Sequence, residues 1–155
     1  MQLTTLCYLI RDGKWLMLHR TKKENDENAG KWIGVGGKFE DGESPDDCVK
    51  REVFEETALS LNSFKFRGIV TFISDIWEDS LMFLYTSDDF TGELKECDEG
   101  TLKWIDETDV KNLRLWEGDK IFIDLLLEDH PFFSLKLCYE GDDLVSAVLD
   151  GNEIM

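Results

Sequence analysis

The sequence predicts an α/β (α+β) sandwich in one domain spanning residues 1–155. Three observations carry this: short β-rich runs punctuated by Gly and Asp turns, a helix start with a full set of cap residues, and a nearly all-apolar helical segment near the C-terminus. A chain of 155 residues is large enough for a proper core and too short for two domains of ordinary size. No internal repeat, linker or low-complexity segment interrupts it.

The elements follow in order. Leu3 to Ile10 and Lys14 to Arg20 are rich in β-favouring residues, and Asp12-Gly13 between them predicts a hairpin. From Thr21 to Lys31 the chain is polar, with Asn25, Asp26, Asn28 and Gly30, and is expected to form a mobile loop at a site entrance. Gly34, Gly36, Gly37 and Gly42 predict a Gly-rich loop whose backbone can approach a metal or phosphate closely. Ser44, Pro45 and Asp47 then supply an N-cap, a first-turn proline and an acid at the capping-box position, so a helix begins at about residue 45. Strands are expected over Phe64 to Ser74 and Leu81 to Thr86, around an acidic turn at Asp75, Glu78 and Asp79. Shorter ones are expected at Glu93 to Leu94 and Leu102 to Ile105. A second helix runs from Lys120 to Glu128, with Asp119 as its cap and Pro131 as its stop. Phe132 to Tyr139 and Leu144 to Leu149 close the chain as a hairpin.

Charge narrows the partners. A formal net charge of −17 argues against nucleic-acid polymers and anionic membranes, which require a basic footprint. Small phosphate substrates remain open through a metal and a local cation cluster, for which Arg20, Lys22, Lys23, Lys31 and Lys38 are candidates; a solvated lysine loop is the alternative. No apolar run of about 18 residues exists, and Thr4, Thr5, Arg11 and Asp12 break up any leader, so a cytoplasmic monomer or small homo-oligomer is expected. Cys7, Cys48, Cys97 and Cys138 form no C-x-x-C pair and are expected to be inert thiols.

Chemistry concentrates in the first helix. Glu52, Glu55 and Glu56, behind Arg51, lie at spacings that share one helix face. Like charges so placed repel by a few tenths of a kcal/mol each, an unfavourable choice unless a cation sits on them. Oxygen donors without His or Cys suit a hard divalent ion, Mg²⁺ or Mn²⁺.

Gly37, Glu43, Arg51, Glu52, Val53, Glu55, Glu56 and Leu59 occupy the fixed positions of G-x5-E-x7-R-E-U-x-E-E-x-G-U, where U is aliphatic. The segment thus resembles the signature box of the Nudix hydrolases, with Ala58 where the family has Gly. The resemblance implies a Nudix-type α/β/α sandwich with a mixed central sheet. It also implies Glu52 and Glu56 as metal ligands with the Gly37 carbonyl, and Glu55 binding a second metal or orienting water. It further implies Arg51, fixing Glu55, and Glu43, holding Arg51, as catalytic residues; a purely structural role for both is the alternative. Glu99, five residues before Trp104, resembles an acid of the purine-triphosphate branch that reaches the metal site as ligand or general base; a solvated acidic loop is the alternative.

Beyond the box, the chain is similar to the MutT and MutX type of 8-oxo-dGTP diphosphatases over nearly its whole length. That similarity implies Trp116 stacking on a base and Asp119 hydrogen-bonding its edge, with Ile33, Lys38 and Lys23 around the substrate. A core Trp and a cap Asp are the plainer readings. Ile33 stands where the vertebrate oxidised-purine hydrolase has a base-reading Asn, Gly118 where it has a paired second Asp, and Glu27 where it has an aromatic. Three functions stay open: Mg²⁺-dependent cleavage of an oxidised purine triphosphate to monophosphate and pyrophosphate, hydrolysis of another nucleoside diphosphate derivative such as ADP-ribose, and a non-catalytic nucleotide-binding module.

Overall fold

Alternation along the first strand sets the architecture. In β1 (Gln2–Arg11), Leu6 and Tyr8 are buried on one face of the sheet and Cys7 and Leu9 on the other. β2 (Lys14–Arg20) divides likewise, with Trp15 and Met17 opposite Leu16 and Leu18. Strands buried on both faces require cover on both. The computed structural model, which describes residues 1–22 and 25–155, supplies it with α1 (Pro45–Thr57) on one side and α2 (Glu117–Leu127) on the other. Val49 and Val53 of α1 join the core of Cys7, Leu9, Leu16 and Leu18, while Phe122, Ile123 and Leu126 of α2 join that of Leu6, Tyr8, Trp15 and Met17.

Between the helices lies a mixed sheet. Its other strands are β3 (Trp32–Ile33), β4 (Val35–Lys38), β5 (Ser60–Ser74), β6 (Ser80–Thr91), β7 (Gly100–Asp106), β8 (Phe133–Glu140), β9 (Asp143–Leu149) and β10 (Asn152–Glu153). Neighbours run β10-β9-β8-β5-β6-β1-β2-β3, with β4 also on β1 and β7 on β2. The β1–β6 and β5–β8 pairs are parallel and the remainder antiparallel. Asp12 and Gly13 take φ of 52° and 73°, as a primed hairpin turn requires. The β1–β2 ladder holds only at that tip, because β6 and β4 occupy the edges of β1 beyond it. Among the described residues no helix is long and apolar enough to cross a membrane.

Several expectations require correction. The Gly-rich segment is not a loop throughout: Val35–Lys38 is a strand, registered Thr5 to Gly37 and Leu6 to Gly36. A Cβ on Gly36 would overlap the Thr5 carbonyl, so this close pairing demands glycine and masks the strand's sequence signal. Glu93 and Leu94 form no strand, and Lys95 N–H instead donates to the Thr57 carbonyl at 3.0 Å. Residues 25–31, expected to be a mobile loop, are tied down: Gly30 N–H donates to the Arg20 carbonyl at 2.7 Å and Arg20 N–H to the Lys31 carbonyl at 3.0 Å. The second helix starts at Glu117 rather than Lys120; Trp116 is its N-cap, and Asp119 is a buried first-turn residue.

α1 begins as its sequence dictates. Ser44 Oγ accepts from Asp47 N–H at 3.1 Å and the Asp47 carboxylate accepts from Ser44 N–H at 3.0 Å, closing the capping box. At the exit, Ala58 adopts left-handed φ 63°, ψ 9° and donates to the Phe54 carbonyl. The helix therefore ends where a glycine cap would end it, with a Cβ in a strained region. Ala58→Gly is expected to stabilise the fold by about 1 kcal/mol, the relieved strain outweighing the added freedom of the unfolded chain. A urea midpoint that stays constant or falls would remove the strain argument.

Candidate active site

Packing fixes which carboxylates of α1 face inward. Cys48, Val49 and Val53 dock the helix, and Tyr85 Oη donates to Asp46 Oδ1 at 2.6 Å, clamping its first turn to β6. Glu56 lies on the buried side, with 8% exposure, while the Glu55 side chain is turned outward.

Arg51 gathers the strand, loop and helix. Its Nε and Nη2 donate to the two Glu43 oxygens at 2.7 and 2.9 Å, Nη1 to Glu52 Oε1 at 2.8 Å and Glu55 Oε2 at 3.2 Å, and Nη2 to the Lys38 carbonyl at 3.0 Å. These bonds, with Glu40 N–H, hold the Glu43 carboxyl down to about 2. Arg51 and Glu43 thus brace the site from behind, and neither they nor Glu55 line the adjoining cleft.

Glu56, Glu52 and Glu99 do line it. Glu56 Oε2 accepts the Gly36 N–H at 3.1 Å, and its carboxyl also hydrogen-bonds with that of Glu99, which reaches in from the turn before β7. Burial, reinforced by Glu99 and Glu52, pushes the Glu56 carboxyl well above the ordinary carboxylate range; Gly36 N–H pulls the other way. Glu52 is raised by burial, opposed by Arg51. Gly37 lies against this group: a Cβ there would come within 2.5 Å of Glu52 Cδ. Among the described residues no group of three or more His, Cys, Asp or Glu side chains is closed into a metal cage. The donor set nevertheless fits a hard cation, since crowded all-oxygen donors raise one another's proton affinity and a divalent ion would relieve that repulsion.

The cleft, of ≈ 600 Å³, joins these carboxylates to a second set of residues: Ile33, Lys38, Phe72, Trp116, Asp119 and Tyr139. Trp116 is held by Nε1–H donating to Asn28 Oδ1 at 2.9 Å and by Lys31 Nζ, 4.0 Å from its ring centroid. Asp119 is 4% exposed; burial pushes its carboxyl up to about 8, against the pull of the Lys31 ammonium.

The cation cluster expected from sequence is dispersed among the described residues. Arg20 is buried against Asp26 at 2.8 Å and Glu99 at 3.1 Å, Lys31 is buried over Trp116, and Lys22 Nζ donates to the Cys97 carbonyl at 3.3 Å. Lys38 remains exposed on the cleft, and Lys23 lies outside the described residues. Sequence reasoning missed Asn28 and Tyr139 as site residues, because each acts through a partner distant along the chain.

Comparison with known proteins agrees with this geometry. The NUDIX domain family matches residues 1–126. YvcI of Bacillus subtilis (strain 168), an uncharacterized Nudix hydrolase, is 32% identical over 160 residues, covering 99% of this chain and 98% of its own. The oxidized purine nucleoside triphosphate hydrolase of Danio rerio is 29% identical, covering 93% and 90%. The MutT protein of Bacillus halodurans superposes with a TM-score of 0.86 at 29% identity, over 97% and 98% of the two chains. On the family match and these relatives together, the chain belongs to the Nudix hydrolase family.

Proposed function

We propose that the protein hydrolyses a purine nucleoside triphosphate to the monophosphate and pyrophosphate with Mg²⁺ or Mn²⁺, preferring an oxidised purine such as 8-oxo-dGTP, and so cleanses the nucleotide pool. The observation carrying this reading is that one cleft joins the carboxylates Glu52, Glu56 and Glu99 to Trp116 and Asp119. The oxidized purine hydrolases among the relatives support it.

A bound divalent cation would neutralise diphosphate oxygens and lower the pKa of an attacking water. Glu52, Glu56, Glu99 and the Gly37 carbonyl are the oxygens that would hold it. Glu55, on a turn from Arg51, would serve a second ion or orient the water, while Glu99 would act as ligand or general base. Arg51 and Glu43 fix the Glu52 carboxylate in place. Trp116 offers an indole face for stacking, Asp119 meets the base edge, Ile33 adds apolar wall and Lys38 a charge for phosphate oxygens.

A panel of dGTP, 8-oxo-dGTP, dATP and ADP-ribose with Mg²⁺, scored for pyrophosphate against phosphate, tests the reading. Pyrophosphate release with 8-oxo-dGTP preferred is expected. Cleavage of ADP-ribose alone, or of nothing, would overturn it.

Asp119 gives the protein a pH signature. Among the described residues, Lys31, Tyr8 and Tyr139 are the charged or titratable groups that interact with it. Its folded pKa of about 8 lies above the ordinary 3.8, so between those values the folded state holds a proton that the unfolded state has released. Folding stability should therefore fall as pH rises from about 4 to about 8 and level off above that. Asp119→Asn should make this slope shallower, leaving the share contributed by the raised Glu56 and Glu52 carboxyls; parallel stability curves for parent and variant would refute the buried-acid assignment.

A further inference from the structure

Tyr139, near the end of β8, lines the cleft and is 7% exposed. Its ring meets Trp116 edge-on, with centroids 5.2 Å apart at 74°. Its oxygen accepts the Gly118 N–H at 2.7 Å, satisfying one of the orphan donors at the start of α2, where Trp116 provides no side-chain cap. Among the described residues no acceptor is paired with the phenol's own hydrogen. A buried hydroxyl in that state requires an acceptor, and the cleft is where one can arrive.

The hydroxyl also occupies a telling position. A Cβ on Gly118 would approach Tyr139 Oη to 2.6 Å and Leu137 Cδ1 to 2.5 Å. The space that a side chain at position 118 would need is thus filled from β8, in part by this hydroxyl.

We propose that Tyr139 is a specificity-determining residue whose hydroxyl donates to the 6-oxo group of a bound purine, favouring 6-oxo over 6-amino bases. The inference rests on the purine reading above. Because the oxygen is already engaged by Gly118 N–H, the hydroxyl faces the cleft as a donor. A 6-oxo purine presents an acceptor to it, whereas a 6-amino purine presents hydrogens. Burial and the neighbouring Asp119 hold the phenol's ionisation above its usual range, so it stays a donor at working pH.

Tyr139→Phe keeps the ring against Trp116 and removes only the hydroxyl. Calorimetric titration with dGMP and dAMP should show the affinity ratio, dGMP over dAMP, falling about tenfold in the variant. The shift in Tm produced by each mononucleotide gives the same ratio for a variant of lowered stability. An unchanged ratio, whatever the Tm, would make Tyr139 a helix-end acceptor alone and overturn the proposal. Mononucleotide binding needs no hydrolysis, so the two readings fail separately. A parent protein that prefers dGMP but cleaves no triphosphate overturns the proposed function only; one that binds neither mononucleotide, or both equally, overturns this inference.

Discussion

Glu56→Gln is expected to lower kcat by on the order of 10³-fold while the protein remains folded. The amide keeps the carboxylate's shape and one oxygen able to accept the Gly36 N–H, which Glu56 Oε2 now takes at 3.1 Å. Folding should survive, because a neutral amide is less costly than a carboxylate at a position only 8% exposed. What disappears is negative charge for the cation. The parent's Tm should rise with added Mg²⁺ or Mn²⁺, and the variant's should rise much less. Parental kcat with an unaltered metal dependence would sink the assignment of Glu56.

Trp116→Ala should raise KM for the preferred purine triphosphate by about 10- to 100-fold, a loss of roughly 1–3 kcal/mol by analogy with base stacking on aromatic side chains. The indole is fixed before any base arrives, through Asn28 Oδ1 at 2.9 Å, Lys31 above the ring and the Tyr139 edge. A fixed platform loses little entropy on binding, which makes its removal costly. The chemical step is assigned to carboxylates on other elements, so kcat should move far less. An unchanged KM would place base recognition elsewhere in the cleft.

Local signals made α1 legible. Ser44, Pro45 and Asp47 lie within a few residues of the turn they cap, and the Arg51 to Glu56 spacing needs nothing beyond helix geometry. Asp119 misled for the same reason: it has the composition of a cap, yet the N–H of Gly118 is satisfied by Tyr139, 21 residues away. β4 escaped notice because two of its four residues are glycines, chosen for close approach to β1 and to Glu52 rather than for β propensity. The cation cluster was legible as composition only. Burial of Arg20 beside Asp26 and of Lys31 over Trp116 is decided by tertiary packing.

The division of the interior by the central sheet has a further consequence for how this enzyme can change. Trp116, Tyr139 and Phe122 are rooted in the core beneath α2, whereas the helix bearing Glu52 and Glu56 is rooted in the core beneath α1. Repacking on one side is screened from the other by a layer of strands, so the energetic effects of substitutions in the two halves should add with little coupling. On the proposed function, base preference could then drift across generations through the α2 side while Glu52 and Glu56 keep their places, giving one reaction many possible substrates.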